Sequence, residues 1–183
     1  KDLFIDISKK INLKWKHQED NFNDFNSQFL IPHMESTRGP KIAVGDVNKD
    51  GLDDIFICGA KGQAGCLLVQ TKDGKFIRTD SAVFAKNAES EDVDAVFFDA
   101  NNDGYPDLYV VSGGNEYEDG NKALADHLYL NDKRGHFKEL PYGLPTILTN
   151  KSCVAVADVN KDGNKDIFIG GLAEAKNYGY AQS

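Results

Sequence analysis

A nine-residue pattern of oxygen-bearing side chains occurs three times in this chain. Each copy reads Asp-x-Asn-x-Asp-Gly-x-x-Asp, and the copies begin at Asp46, Asp99 and Asp158. Side chains at alternate positions of a short loop can point toward one centre, and the glycine lets the loop turn tightly. A hard cation such as Ca²⁺ requires about six to eight oxygen ligands. The repetition of the same acids at the same spacing therefore predicts three cation-binding loops.

The pattern differs from the helix-flanked calcium loop of EF-hand proteins. That loop closes with a bidentate glutamate at position 12, whereas position 12 is here Ile57, Val110 or Ile169. The residues that follow each copy are β-branched and aromatic, which favours a strand. The pattern thus predicts a strand-loop-strand site whose last acid stands at position 9.

The predicted ligands are the side chains at positions 1, 3, 5 and 9 and the backbone carbonyl at position 7. Three carboxylates and one amide favour Ca²⁺ over Mg²⁺, which demands a tighter octahedron and retains its waters. Asx-turns in a glycine-containing hairpin are the alternative interpretation, but turn chemistry alone does not require an acid at position 9. Loop by loop, the predicted ligands are Asp46, Asn48, Asp50, Leu52 and Asp54; Asp99, Asn101, Asp103, Tyr105 and Asp107; and Asp158, Asn160, Asp162, Asn164 and Asp166.

The spacing of the copies indicates the architecture. Their first ligands are 53 and 59 residues apart, which is too long for a helical solenoid unit and close to the length of a propeller blade. Each unit is predicted to contain four strands, which we call A to D. They are predicted at 41–45, 54–58, 66–71 and 75–79, then at 93–98, 107–112, 127–131 and 136–140, and in the third unit only A (152–157) and B (166–170) are clear. Strands A and B are almost continuously apolar, which indicates sheets covered on both faces, and an Asp-Gly pair at 73–74 predicts a hairpin between strands C and D. Four-stranded antiparallel meanders repeated around an axis are β-propeller blades, so the predicted fold is all-β and a partial propeller.

These features resemble a known family of repeats. The loop followed by an apolar strand and a Gly-Gly pair (Gly113-Gly114 and Gly170-Gly171) is similar to the FG-GAP/VCBS repeat of integrin-α-type propellers. The stretch from Ile31 to Pro40 also resembles large secreted VCBS-repeat proteins of bacteria. The resemblance covers residues 40–183 and implies structural Ca²⁺ between strands A and B, and a role outside the cell in adhesion or ligand binding.

The number of repeats falls short of a closed ring, which typically needs about 4 to 8 blades. We expect a lead-in segment at 1–40 followed by blades at about 41–80, 93–140 and 152–183, the last one incomplete. Either the remainder of a longer chain or a second copy would then complete the propeller. Within the lead-in segment, Leu3–Ile7 is predicted to form a strand that helps to close the ring. The aromatic residues of 12–40 are expected to pack on the propeller rather than to stack on sugar, because Trp and Phe bury large areas.

Composition and net charge limit the kinds of binding partner and the cellular location that are expected for this chain. A net charge of −8 argues against nucleic acid, which requires a basic surface, and no apolar stretch is long enough to span a membrane. No signal peptide is visible, and a chain that begins at Lys1 is what a processed protein would show. Amide ligands without a closing glutamate suit the millimolar calcium of extracellular modules, so a secreted or cell-surface location is expected. A bridge between Cys58 and Cys66 is conceivable, although buried free thiols are favoured, and Cys153 has no evident partner.

Catalytic motifs are absent from the sequence: there is no nucleophile elbow, phosphate loop or zinc-binding His-Glu-x-x-His. The second B–C loop is about eight residues longer than the first, around 115–122, and such a loop either carries function or is a tolerated insertion. The leading hypothesis is a non-catalytic, calcium-stabilised extracellular segment that binds a protein or glycan on the rim opposite the calcium loops. The alternatives are part of a polysaccharide-acting enzyme, with the acids of 116–119 as the local candidates, or an architectural module of a large surface protein.

Overall fold

Ten β-strands form three sheets in the computed structural model, which describes residues 3–175 and residue 177. The first sheet contains β1 (Ile42–Gly45), β2 (Asp54–Ile57), β3 (Cys66–Gln70) and β4 (Phe76–Thr79). The second contains β5 (Glu91–Phe98), β6 (Asp107–Gly113), β7 (His127–Asn131) and β8 (Phe137–Glu139), and the third contains β9 (Lys151–Ala157) and β10 (Asp166–Gly171). One helical turn, α1 (Ser81–Phe84), continues into a 3₁₀ turn at Ala85–Asn87, and further 3₁₀ turns lie at Asp24–Asn26 and Lys122–Leu124.

The two complete sheets are antiparallel meanders in which each strand pairs with the next one in sequence. Strands of the third sheet pair in the same way as the first two strands of each meander. This topology confirms the predicted all-β class of four-stranded blades with the Asp-rich loops between their first two strands. Within the described residues the sheets form part of a propeller and do not close into a barrel.

Strand β6 lies at the centre of this arrangement because both of its faces are covered. All seven of its residues are buried. Leu108 and Val110 pack toward the first sheet, in a cluster that contains Phe56. Tyr109 and Val111 face the third sheet, against residues such as Val154. The continuous apolar run in the sequence is thus explained by alternate residues entering two different inter-sheet cores.

The connection between the first two sheets contributes its own aromatic anchor. Phe84 of α1 is 3% exposed, and its ring centroid lies 5.1 Å from those of both Phe56 and Tyr129. This helical turn was not predicted from the sequence. Its role is to fill the space between two sheets with one large side chain.

The first strands of the three units lie side by side, since β5 contacts both β1 and β9. Acidic side chains of β5 help to join them. Asp92 accepts a hydrogen bond from the Gly59 N–H of the first unit at 3.0 Å, and Asp94 accepts one from the Val154 N–H of the third at 2.9 Å. A polar link on each side of β5 therefore accompanies the apolar packing.

The predicted strand at Leu3–Ile7 is wrong. No strand lies in residues 3–41, and Leu3, Phe4 and Ile5 are between 80% and 89% exposed. An extended segment forms a strand only where another strand can pair its N–H and C=O groups, and no described strand pairs with it.

The rest of the lead-in segment is irregular, as predicted, and two side chains illustrate its packing. Trp15 packs against the cluster that contains Ile57 and Leu68, in agreement with the expectation. Phe29 is 81% exposed, so the same expectation is wrong for that residue.

The two buried cysteines are free thiols. Cys58 belongs to the cluster between the first and second sheets, whereas Cys66 belongs to the cluster on the opposite face of the first sheet. The two sulfur atoms therefore lie on different sides of that sheet, which explains the unbridged state that the sequence favoured. Cys153 is exposed and is also a free thiol. In the described part of the chain, no helix is both long and apolar enough to cross a membrane.

Candidate functional site

The three Asp-rich loops share one backbone conformation. In the first loop the Asp50 N–H donates to Asp46 Oδ1 at 3.1 Å and to Asn48 Oδ1 at 3.0 Å, while the Gly51 N–H donates to Asp46 Oδ2 at 2.8 Å. Positions 4 and 6 both have left-handed backbone, with φ of 58° at Lys49 and 86° at Gly51. Glycine adopts this conformation without strain, which explains its occurrence at position 6 of each copy.

The second and third loops reproduce these hydrogen bonds closely. The Asp103 N–H donates to Asp99 at 3.0 Å and to Asn101 at 3.0 Å. The Asp162 N–H donates to Asp158 at 3.1 Å and to Asn160 at 3.0 Å. In each loop the N–H of position 7 donates to the carboxylate of position 5: Leu52 to Asp50 at 2.9 Å, Tyr105 to Asp103 at 3.0 Å and Asn164 to Asp162 at 2.8 Å.

The acid at position 9 has a structural role that the sequence analysis missed. Asp54 is fully buried, and its two carboxylate oxygens accept from the Val47 N–H of the loop at 2.9 Å and from the Gln70 N–H at the end of β3 at 2.8 Å. Asp107 is also fully buried and links Ala100 to Asn131 of β7 in the same way, at 3.0 and 2.8 Å. This acid therefore fastens the loop to the third strand of its own blade.

Asp166 differs from its two counterparts in the first and second loops. It accepts from the Val159 N–H at 2.9 Å but is exposed. Among the described residues no third strand lies beside β10 to cover it. The burial of a position-9 acid thus depends on strand C of the same blade.

The buried position-9 acids of the first two loops have raised pKa values. Burial raises the pKa of Asp54, and the nearby charges of Asp50 and Asp46 raise it further. The pKa of Asp107 is raised for the same reasons, by burial first and then by Asp103 and Asp99. A bound cation would relieve this repulsion.

The loops fit Ca²⁺ by the chemistry of their donors, which are all oxygens: three carboxylates, one amide and one backbone carbonyl. The Asp46 and Asn48 oxygens accept from the same Asp50 N–H, so these two donors of the predicted set lie close together. In the present conformation, no three Asp, Glu, His or Cys side chains of the described residues are gathered into a metal cage. The loop carboxylates face the loop N–H groups instead, and each carboxylate retains further lone pairs for an ion.

Contacts between neighbouring loops place all three on one rim. The Asn131 side-chain amide donates to Val47 O at 2.8 Å and to Pro106 O at 2.9 Å, which joins the first loop to the second. Asn102 of the second loop donates to Asn164 of the third at 3.4 Å. Loss of order in one loop would therefore affect the next.

The opposite rim is formed by the B–C loops, the connections between blades and the lead-in segment. Asp24 of the lead-in segment is fully buried and accepts from Ser36 Oγ at 2.6 Å and from Asn115 Nδ2, in the long B–C loop, at 2.5 Å. Lys61 of the first B–C loop reaches Glu116 of the second at 2.8 Å and Asp20 at 3.4 Å. The longer loop at 115–122 is thus held at its start by defined contacts to two other segments.

The acids of 116–119 differ in their surroundings. Glu116 is partly buried against Lys61, whereas Glu118 and Asp119 are exposed. The four-residue stretch therefore does not present its acids to one common environment.

A lysine is buried beneath this rim, and the sequence offered no signal for it beyond its place in an apolar strand. Lys151 is 1% exposed, and its ammonium donates to the carbonyls of Leu124, Ile147 and Thr149 at 2.5, 3.0 and 3.0 Å. Asp126 Oδ1 lies 3.3 Å away. Burial lowers the pKa of Lys151 and raises that of Asp126, and the charge of each opposes the shift of the other.

The same rim contains a cavity of about 250 Å³, which we call the rim cavity. It lies where the first strands of the three units begin, and its lining includes Glu35, Arg38, Glu91, Val93, Gly114 and Leu172. Glu91 gives no signal in the sequence, because a glutamate at a strand start is usually exposed.

Comparison with known proteins identifies the repeat. A search of curated proteins finds no match. Residues 46–110 and 99–169 each match the family model of the FG-GAP-like repeat, and together they span more than half of the chain and all three Asp-rich loops. This family generally consists of non-catalytic architectural or binding modules. The chain therefore belongs to the FG-GAP-like repeat family.

Proposed function

We propose that this chain is a calcium-stabilised extracellular propeller segment that binds a protein or a glycan through the rim opposite its Asp-rich loops. The observation that carries the calcium assignment is the threefold recurrence of one loop geometry with the same set of oxygen donors. The remainder of a longer chain or a second copy completes the propeller in this proposal.

Calcium would act on the fold rather than on a reaction. Each loop connects the first two strands of a blade, and in the first two loops the buried acid at position 9 also connects the loop to the third strand. An ion that binds only the folded loops stabilises the protein by about 2.7 kcal/mol when its concentration is about 100 times the dissociation constant. Contacts such as Asn102–Asn164 couple the loops, so the effect of one ion extends to the neighbouring blade.

Thermal melting with and without a calcium chelator tests the calcium assignment. We expect excess EDTA to lower the melting temperature, and Asp50→Ala, Asp103→Ala and Asp162→Ala each to remove part of that calcium dependence. Asp53→Ala is the matched control, because this exposed acid lies in the first loop but outside the predicted ligand set. A melting curve that excess EDTA leaves unchanged contradicts the structural role of calcium.

Binding is assigned to the opposite rim because variable segments meet there on a rigid support. The long B–C loop is anchored by Asn115 to the buried Asp24 and by Glu116 to Lys61. Loops fixed to a rigid sheet scaffold are common sites of recognition.

A screen of glycans and extracellular proteins with and without calcium tests the binding assignment. We expect a ligand whose affinity falls when residues 117–121 are replaced by a short glycine-serine linker, with circular dichroism of the variant verifying that the sheets remain folded. Absence of any ligand in both conditions would favour a purely architectural module and would contradict the binding role.

A further inference from the structure

Glu91 is a buried carboxylate with an incomplete set of partners. It is 4% exposed, at the start of β5, and its Oε2 accepts a hydrogen bond from the Lys61 N–H at 2.7 Å. Among the described residues it has no second hydrogen bond and no ion pair, and it lines the rim cavity. A buried carboxylate is normally paired, and because Glu91 lines the cavity, a group that enters the cavity can supply that second partner.

The charges around Glu91 do not supply that partner. The neighbouring charges that raise the pKa of Glu91 belong to three other acids, Glu19, Glu116 and Asp92. The nearby Lys61 ammonium is engaged by Glu116 and Asp20.

The cations of the cavity wall are similarly committed or hydrated. Arg38 pairs with Glu35 at 2.6 Å, and the Lys151 ammonium is held by three backbone carbonyls. Lys41 also lines the cavity but is exposed to water. When Glu91 is ionised, its charge therefore has no dedicated cation in the cavity wall.

We propose that the rim cavity binds one guanidinium or ammonium group, with Glu91 as its counter-charge. The group comes either from a free small cation or from a basic side chain of a protein ligand. In the second case the inference rests on the proposed function, because it names the chemistry that the ligand would present to this rim.

The size and lining of the cavity match such a group. A volume of about 250 Å³ lies below the range of about 300–1,000 Å³ typical of small-molecule pockets, so it suits a single side chain better than an oligosaccharide. Val93 and Leu172 provide apolar wall against which the methylene stem of a lysine or arginine can pack.

Gly114 keeps Glu91 in its place. A Cβ at this position would lie 2.9 Å from Glu91 Cγ, and the φ of 86° also favours glycine. A larger residue there would displace the carboxylate from the cavity wall.

The proton on Glu91 links binding to pH. Burial raises the pKa of Glu91 to about 8, and the neighbouring acids contribute. A cation binds the ionised form, so below about pH 8 binding must release a proton, and the affinity falls about tenfold for each pH unit. Since a guanidinium stays charged throughout this range, the dependence reports on the protein and not on the probe.

Titration of methylguanidinium chloride into the calcium-loaded protein, followed by ¹⁵N-¹H NMR, tests the proposal. We expect shifts of the Lys61 and Gly114 amides with a millimolar dissociation constant, stronger binding at pH 8 than at pH 7, and at least tenfold weaker binding to Glu91→Gln. Glu89→Gln is the matched control, because Glu89 is exposed on the same rim and should bind the probe as the wild type does. Melting curves of both variants verify the fold.

The arms of this experiment separate the two sources and the two proposals. A short peptide with one arginine is compared with its citrulline counterpart, which lacks the charge, and with methylguanidinium. If the arginine peptide binds more tightly than methylguanidinium, the ligand is a protein side chain. If it binds equally or more weakly, the ligand is a free small cation. Equal binding of methylguanidinium to wild type and Glu91→Gln, or no binding at all, overturns the cation site. Neither of these results affects the calcium dependence of melting, which tests the proposed function separately.

Discussion

The buried ammonium of Lys151 allows a strong prediction about stability. It is 1% exposed and bonds three carbonyls from the long B–C loop and from the connection to the third sheet, with the Asp126 carboxylate 3.3 Å away. Replacement by methionine preserves most of the side-chain volume and removes only the charge and its donors. It leaves Asp126, whose side chain is 5% exposed, without its cation.

Breaking a buried ion pair by removing one partner costs about 3–5 kcal/mol, because the remaining charge is uncompensated. We therefore expect Lys151→Met to lower the free energy of unfolding by about 4 kcal/mol. For a chain of this size each 1 kcal/mol corresponds to about 2–4 °C, so the melting temperature should fall by about 8–16 °C. Urea unfolding monitored by circular dichroism, with calcium held constant, measures the change.

Two further variants isolate the cause. In Lys151→Met combined with Asp126→Asn, both charges are gone, and we expect part of the loss to be regained, because the unpaired carboxylate no longer has to be buried. Lys122→Met removes an exposed charge from the same loop and should change the free energy of unfolding by less than about 0.5 kcal/mol. If Lys151→Met is as stable as the wild type, or if the double variant is no better than the single one, the buried ion pair does not support the rim.

Three other predictions follow from single residues. Asn131→Asp removes the two N–H donors that join the first and second loops, and it places a charge beside Asp107. We therefore expect the free energy of unfolding, measured in urea, to fall by about 2–4 kcal/mol. The control Asn121→Asp keeps the oxygen that accepts from the Ala123 N–H, so its free energy of unfolding should be nearly that of the wild type. The pKa of Glu91 is raised from 4.5 to about 8, so the folded state holds a proton that the unfolded state releases. The contribution of this proton to the free energy of unfolding is complete below about pH 4.5 and is lost as the pH rises through about 8. The slope of the loss is at most about 1.4 kcal/mol per pH unit. Glu91→Gln should flatten that slope between pH 5 and 8, and an unchanged slope would assign the pH dependence to other groups. Cys153 alone should react rapidly with a thiol reagent in the folded protein, as it is the one exposed cysteine of the three, and mass spectrometry showing fast labelling at a buried cysteine would contradict the packing.

Much of the blade structure could be predicted from the chain because its signals are local. The run after each Asp-rich loop is apolar and β-branched, and strands β2, β6 and β10 begin at the predicted position-9 acids Asp54, Asp107 and Asp166. The Asp-Gly pair at 73–74 likewise falls in the turn between β3 and β4. Alternation, turn residues and loop spacing act over a few residues, so they are visible in the sequence.

The failures involve partners that are distant in sequence. Leu3–Ile7 has the composition of a strand but finds no described strand to pair with. Phe29 is a large apolar residue of a type usually found in the core, but it is exposed. In both cases the local preference is correct, and the missing element is a surface that tertiary structure would have to provide.

The sequence by itself determined the Asp-rich loops: which oxygens surround each turn, why glycine stands at position 6, and that strands flank the loop. Only the tertiary structure decided which charged groups are buried. Asp54 is enclosed because β3 lies against it, Lys151 because two connections converge on its ammonium, and Glu91 because the first B–C loop covers it. Burial depends on contacts between segments that are 16 to 30 residues apart, and it is burial that changes the free energy of a charge. The loops that hold the blades together are therefore visible in the chain, whereas the charged cavity on the other rim appears only when the blades are assembled.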